Sequence, residues 1–239
     1  MKLTQPAKTF IGLMALAALA TSANAAAHAG TWHPAAALTL LTVALATSRM
    51  KVKLPGITGS MSVNLPFLLL AVVMLNRVEA ILIACAATVA QTLPKAGTKF
   101  KPVQMFFNVC MMAVSAGTAG MVFHAPQFTS PSSFALTLAA TTTAFFLGQT
   151  VPVSIIVALT DGGSLNRIWT NIAQLSFPYF VVSAGVTAMV TAVGNPVAWL
   201  AALLLFPVMY GIYRSYELYF AHVVETLSQP LVRTASAGA

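Results

Sequence analysis

The chain has 239 residues, 58% of them hydrophobic and only 7% charged, whereas a soluble domain carries about a quarter charged residues. It therefore lacks the polar surface needed to face water. Its formal charge of +8 comes from twelve Lys and Arg against four acids, Glu79, Asp161, Glu217 and Glu225; the bases sit in short clusters between apolar runs, a pattern that orients membrane spans rather than binding nucleic acid.

In chain order, Lys2 and Lys8 precede an apolar run that ends near Ala23-Asn24-Ala25. This layout fits a cleaved secretory signal, and extended to Ala27 it is also long enough to span a hydrocarbon core of roughly 30 Å. The segment is expected to be a retained first span. Cleavage after Ala25 would instead leave Ala26-Ala27-His28 as an N-terminus able to hold Cu(II) in a square plane; finding Met1 by intact mass ends that idea.

Further apolar runs occupy 34–50, 62–76, 78–93, 103–123, 133–159, 168–193 and 196–220. The expected fold is an all-α polytopic transmembrane bundle of about eight spans, or seven if the N-terminal segment is removed. Segments 62–76 and 78–93 are short, and either cross fully or form a re-entrant pair. Pro152 and Pro178 fall inside runs and kink them. The organisation is an N-terminal span or signal-like segment, 1–33, a multi-pass domain, 34–220, and a short cytoplasmic tail, 221–239.

Arg49, Lys51 and Lys53, then Lys95, Lys99 and Lys101, then Arg167, then Arg214 and Arg233 all fall on one side of this scheme, and Arg77 alone breaks the rule. Positive charge favours the cytoplasm. The expected location is the cell inner membrane, with both termini inside and the lipid bilayer as the first partner.

Ala113, Ala116, Gly117 and Gly120 form overlapping small-xxx-small pairs, as do Ala184 and Ala188. They serve either packing within the chain or a homodimer seam. Thr141, Thr142 and Thr143 can bond their own helix carbonyls and need no ligand. Cys85 and Cys110 lie in apolar runs without CxxC spacing, and read as small core- or lipid-facing residues.

Chemistry has few carriers. No HExxH, Walker loop or Gly-x-Ser-x-Gly occurs, and no acid is spaced to pair with another acid or a His on one helix face. The expectation is no enzyme and no cofactor. Gln104 and Asn108 share a helix face, as do Asn171 and Gln174. Amides at membrane depth are expected to face the interior, as helix–helix hydrogen bonds or as the lining of a ligand pocket. Glu79, beside Asn76 and Arg77, reads as interfacial and solvated, or as a ligand contact. His28, His33 and His124 are loop residues: polar caps in the plain reading, weak metal candidates in the sharper one, with no metal expected. Tyr210, Tyr213, Tyr216 and Tyr219 drift about 60° per step and suit a headgroup-level belt.

Three stretches carry a family resemblance: Ser48-Arg-Met-Lys-Val-Lys-Leu-Pro-Gly-Ile-Thr-Gly-Ser-Met-Ser-Val-Asn-Leu-Pro-Phe67, Val103-Gln-Met-Phe-Phe-Asn108, and Tyr210-Gly-Ile-Tyr-Arg-Ser-Tyr-Glu-Leu-Tyr219. Over 35–220 the chain resembles the membrane-associated sensor (MASE-type) modules of bacterial GGDEF and HD-GYP cyclic-di-GMP signalling proteins. The resemblance implies a bundle that senses a ligand or the membrane and signals through its last helix to a cytoplasmic signalling protein. The sequence departs from that pattern in carrying no GGDEF signature, HD pair or coiled-coil linker, so no catalytic residue carries over. The expected function is a stand-alone sensor-like module. The alternatives are a small-molecule transporter component, similar to the substrate-binding subunits of vitamin importers, and a structural protein without a ligand.

Overall fold

In the computed structural model, α1 (Gln5–Ala27), α2 (Pro34–Ser48), β1 (Lys51–Lys53), β2 (Ser60–Ser62), α3 (Leu65–Met74), α4 (Arg77–Thr92), α5 (Pro102–Phe123), α6 (Phe134–Val157) and α7 (Leu165–Ala192) follow one another along the chain. The described residues are 4–53, 60–94, 100–126, 133–192 and the positions 207, 210, 211, 214 and 215. The run at 196–220 lies largely outside them.

Helix starts follow local chemistry. Thr4 Oγ1 accepts the Ala7 N–H at the N-terminus of α1, and Pro34 and Pro102 open α2 and α5, where the missing N–H costs nothing. α6 ends in a π-helical turn, Ala158–Gly162, closed by Gly162 at φ +69°, a backbone region open to glycine. Thr4 Oγ1 donates to the Leu159 carbonyl in that turn, tying the start of α1 to the end of α6.

α5 is the central helix: 56% of its apolar window is buried, against 22–28% for α1, α6 and α7. It packs on α1, α4 and α6. The glycines set the approach. A Cβ at Gly117 would overlap Thr21 Cγ2 of α1, and the stem of Arg77 lies over Gly120, 3.1 Å from where a Cβ would sit. Likewise a Cβ at Gly148 of α6 would meet the Ser115 backbone of α5 at 3.0 Å. The α5 small-residue motif therefore serves packing within the chain, where close contact replaces the missing hydrophobic drive between helices in lipid.

The helices alternate in direction and define two poles. Lys8, Arg49, Lys101 and Arg167, all exposed, lie toward the pole that holds the α1 N-terminus and the α2 C-terminus; Arg77 lies at the other. Lys95 and Lys99 fall outside the described residues.

Four helices, α1, α5, α6 extended through Gly162, and α7, are long and apolar enough to cross a membrane, while α2 and α3 are shorter. The eight-span expectation thus reduces to a helical membrane bundle with four full-length candidate spans among the described residues. It also gains an antiparallel ribbon, Lys51 opposite Ser62 and Lys53 opposite Ser60, which the apolar pattern of the sequence did not announce.

The short third segment has a physical explanation. α3 has ten residues, about 15 Å at 1.5 Å per residue, half of a roughly 30 Å core. Leu65 through Val72 are all buried, as an all-round apolar helix inside a bundle should be. Its C-terminal end meets α4 across only Leu75 and Asn76 at the Arg77 pole. Its N-terminal end therefore lies about halfway through the bundle.

Candidate functional site

Two places concentrate polar groups. At the Arg77 pole, Asn76 and Glu79 form a reciprocal capping box: Asn76 Oδ1 accepts the Glu79 N–H at 2.9 Å, and Glu79 Oε2 accepts the Asn76 N–H at 3.2 Å. Glu79 Oε1 also accepts the His33 N–H at 2.8 Å, and Asn76 Nδ2 donates to the Thr31 carbonyl at 3.1 Å. Arg77 turns to the α1 end, donating to Asn24 Oδ1 at 3.2 Å and to the His28 carbonyl at 3.4 Å. One helix start thereby holds the whole connection between α1 and α2.

This arrangement corrects the solvated reading of Glu79. Its residue exposure is 4%, and both carboxylate oxygens are engaged by backbone N–H groups, the condition under which a buried carboxylate is tolerated.

His28, His33 and His124 gather toward the same end but do different things. His28 Nδ1 lies 3.0 Å from the Asn24 carbonyl, and His33 Nε2 lies 3.3 Å from Thr31 Oγ1. His124 closes α5 and sets its ring against the Leu75 and Val72 carbonyls at the C-terminus of α3. Burial, and then the nearby Arg77 charge, push its pKa below the ordinary value, opposed by those two backbone bonds. Among the described residues no three His, Cys, Asp or Glu side chains form a group able to hold a metal ion.

The second place is the mid-depth start of α3. Asn64 is its N-cap residue, but its side chain makes no capping hydrogen bond. Instead, Tyr179 of α7 reaches across, its Oη accepting the Leu65 N–H at 3.2 Å. The Phe67 and Leu68 N–H groups both turn back to the Asn64 carbonyl. Asn64 is 5% exposed, and its Nδ2 has no hydrogen-bond partner among the described residues. Apart from this site, on α6, the buried Thr141 and Thr142 hydroxyls are also unpartnered among the described residues. Only Thr143 makes the expected bond to its own helix, at 2.8 Å to the Ala139 carbonyl. The expectation that all three threonines satisfy themselves is therefore corrected. A buried unpaired donor costs roughly 1–3 kcal/mol, and a ligand acceptor reaching it relieves that cost.

The amides singled out from sequence lie elsewhere. Gln104 is exposed and Asn108 half-buried on α5, while Asn171 and Gln174 are both exposed on α7. α6 packs against both of these helices. The expectation that these amides face the interior fails for Gln104, Asn171 and Gln174. Helix spacing identifies a shared face without saying where that face points. The residues that sequence reasoning missed are Asn64 and Tyr179. Asn64-Leu65-Pro66 is a helix-start signal hidden inside what reads as one apolar run.

A family model, MASE9, matches residues 35–221, a region that takes in α2 through α7 and leaves α1 outside. No curated protein and no solved structure matches the chain.

Proposed function

Because the chain belongs to the MASE9 family of membrane-associated sensor domains, we propose that it works as a sensing bundle in the cell inner membrane that binds a small polar ligand at the α3 break. The observation that carries this reading is the Asn64 Nδ2, buried at the start of a half-length helix without a hydrogen-bond partner among the described residues. Secondary transporters place substrates and ions at discontinuous helices near the bilayer midplane, and a sensing bundle can use the same mid-depth geometry for a ligand without transporting it. The ligand would present a hydrogen-bond acceptor, since Asn64 Nδ2 is a donor.

The pole carrying Lys8, Arg49, Lys101 and Arg167 faces the cytoplasm, following the bias of positive charge, and both termini lie there. The stretch 196–220 passes the change of state to a cytoplasmic signalling protein, and the chain itself performs no catalysis. Nothing in the family match or the fold supports the importer-subunit alternative.

Native mass spectrometry of the protein, gently extracted from its own membrane, tests the ligand. The expected result is a bound small molecule in the wild type that is absent from a folded Asn64→Leu variant. A wild-type bundle carrying lipid alone, or a ligand retained by the variant, overturns the assignment to this site.

A further inference from the structure

The chain has two cysteines, 25 positions apart, and folding brings them to one interface. α4 and α5 run antiparallel, and their contacts fix the register. Arg77 lies on Gly120, and one turn along α4, Ile81 Cδ1 comes within 3.3 Å of where a Gly117 Cβ would sit. One further turn along, Cys85 Sγ donates to the Val109 carbonyl at 3.8 Å. That oxygen belongs to the peptide unit that ends at the Cys110 Cα.

On α5, Cys110, Ala113, Gly117 and Gly120 follow at spacings of three, four and three, a single helix face. Cys110 therefore lies on the stripe that faces α4. Both thiols are free. Cys110 is buried and Cys85 half-buried, so water-borne oxidants reach them poorly. The small residues on the α5 stripe allow the close backbone approach that a disulfide needs, with Cα atoms about 4.4–6.8 Å apart.

We propose that Cys85 and Cys110 are a redox-responsive pair that closes to an intramolecular disulfide when oxidised by a lipid-soluble quinone. Two S–H bonds break and one S–S bond forms. The two electrons and two protons pass to the quinone, which leaves as the hydroquinone. Closure pins α4 to α5 two turns from the Asn76–Glu79 cap, and so fixes the helix on which the connection between α1 and α2 hangs. A dithiol reductant reopens it. The inference does not depend on the ligand reading.

The test exposes the reduced full chain, in lipid nanodiscs, to a short-chain ubiquinone analogue, with oxidised glutathione as a water-soluble comparison. The expected result with the quinone is a loss of two hydrogen masses from the intact chain and protection of both thiols from a lipid-permeant maleimide. A digest should yield one peptide pair joined through Cys85 and Cys110, with oxidised glutathione giving far less of it. Cys85→Ser and Cys110→Ser should each leave the remaining thiol open to alkylation. Two thiols still alkylated after the quinone, a quinone adduct on one of them, or a covalent dimer in place of the internal link would overturn the proposal.

Discussion

The Tyr179 hydroxyl accepts the Leu65 backbone N–H at 3.2 Å, so a side chain from the middle of α7 caps a helix that begins inside the bundle. The Asn64 side chain, in the usual capping position, does not do so. This long-range cap joins the half-length helix to the last full-length helix among the described residues. A change at the start of α3 therefore bears directly on Tyr179.

Tyr179→Phe keeps the ring and removes the acceptor, leaving the Leu65 N–H without its partner. The expected loss is about 1–3 kcal/mol of stability, read as a lower midpoint of unfolding in detergent. Hydrogen exchange should rise at the first turn of α3 before it rises elsewhere.

Glu79→Ala removes the acceptor for two backbone N–H groups, those of His33 and Asn76. Hydrogen bonds to charged groups contribute about 1.5–3 kcal/mol, so this variant should be clearly destabilised. Glu79→Gln retains one acceptor oxygen and should fall between it and the wild type. Protease nicking at residues 28–33 provides the readout, since Glu79 holds that connection in place.

Gly117→Ala is expected to destabilise even though alanine is the better helix former by about 1 kcal/mol, because its Cβ would overlap Thr21 Cγ2. Combining it with Thr21→Ala should recover most of the loss, a coupling that a double-mutant cycle measures. Gly185→Ala, where nothing among the described residues lies within 4 Å of the added carbon, should be neutral or stabilising.

Burial and the Arg77 charge hold the His124 pKa below the ordinary value of 6.5. The unfolded chain therefore takes up this proton at higher pH than the folded one. The contribution to stability is intact above about 6.5, falls as the pH drops below that value, and levels off beneath the folded pKa. The difference in unfolding midpoint between wild type and His124→Gln should follow this course. A difference independent of pH would refute it.

Thr142→Val exchanges an unpartnered buried hydroxyl for a methyl of similar shape, and should be neutral or stabilising. Thr88→Val, by contrast, discards a bond of 2.8 Å to the Ala84 carbonyl. The two midpoints, measured side by side, should separate in that order.

Much of the helical framework is legible in the chain itself. The apolar runs locate the helices, Pro34 and Pro102 mark two starts, and Asn76-x-x-Glu79 is a readable capping signal. Less of the candidate site is legible. Asn64 lies within a run that looks continuous, and its significance depends on Tyr179, 115 positions later in the sequence. Gln104, Asn171 and Gln174 looked more promising because amides at helical spacing stand out in an apolar chain, yet their faces point outward.

The sequence alone determined that this is a helical membrane protein, where most helices begin and end, and, through the three motif stretches, the sensor family to which it belongs. These follow from composition and local backbone chemistry, which each segment carries by itself. Only the tertiary structure decided that α3 begins halfway through the bundle, that Glu79 is buried, that the small-residue stripe of α5 is used within the chain, and that Cys85 lies beside the Val109 carbonyl of α5. In lipid, the outer face of a helix is as apolar as its packed face. Hydropathy marks a helix without telling which side is inside, and that choice is made by the fit of neighbouring helices.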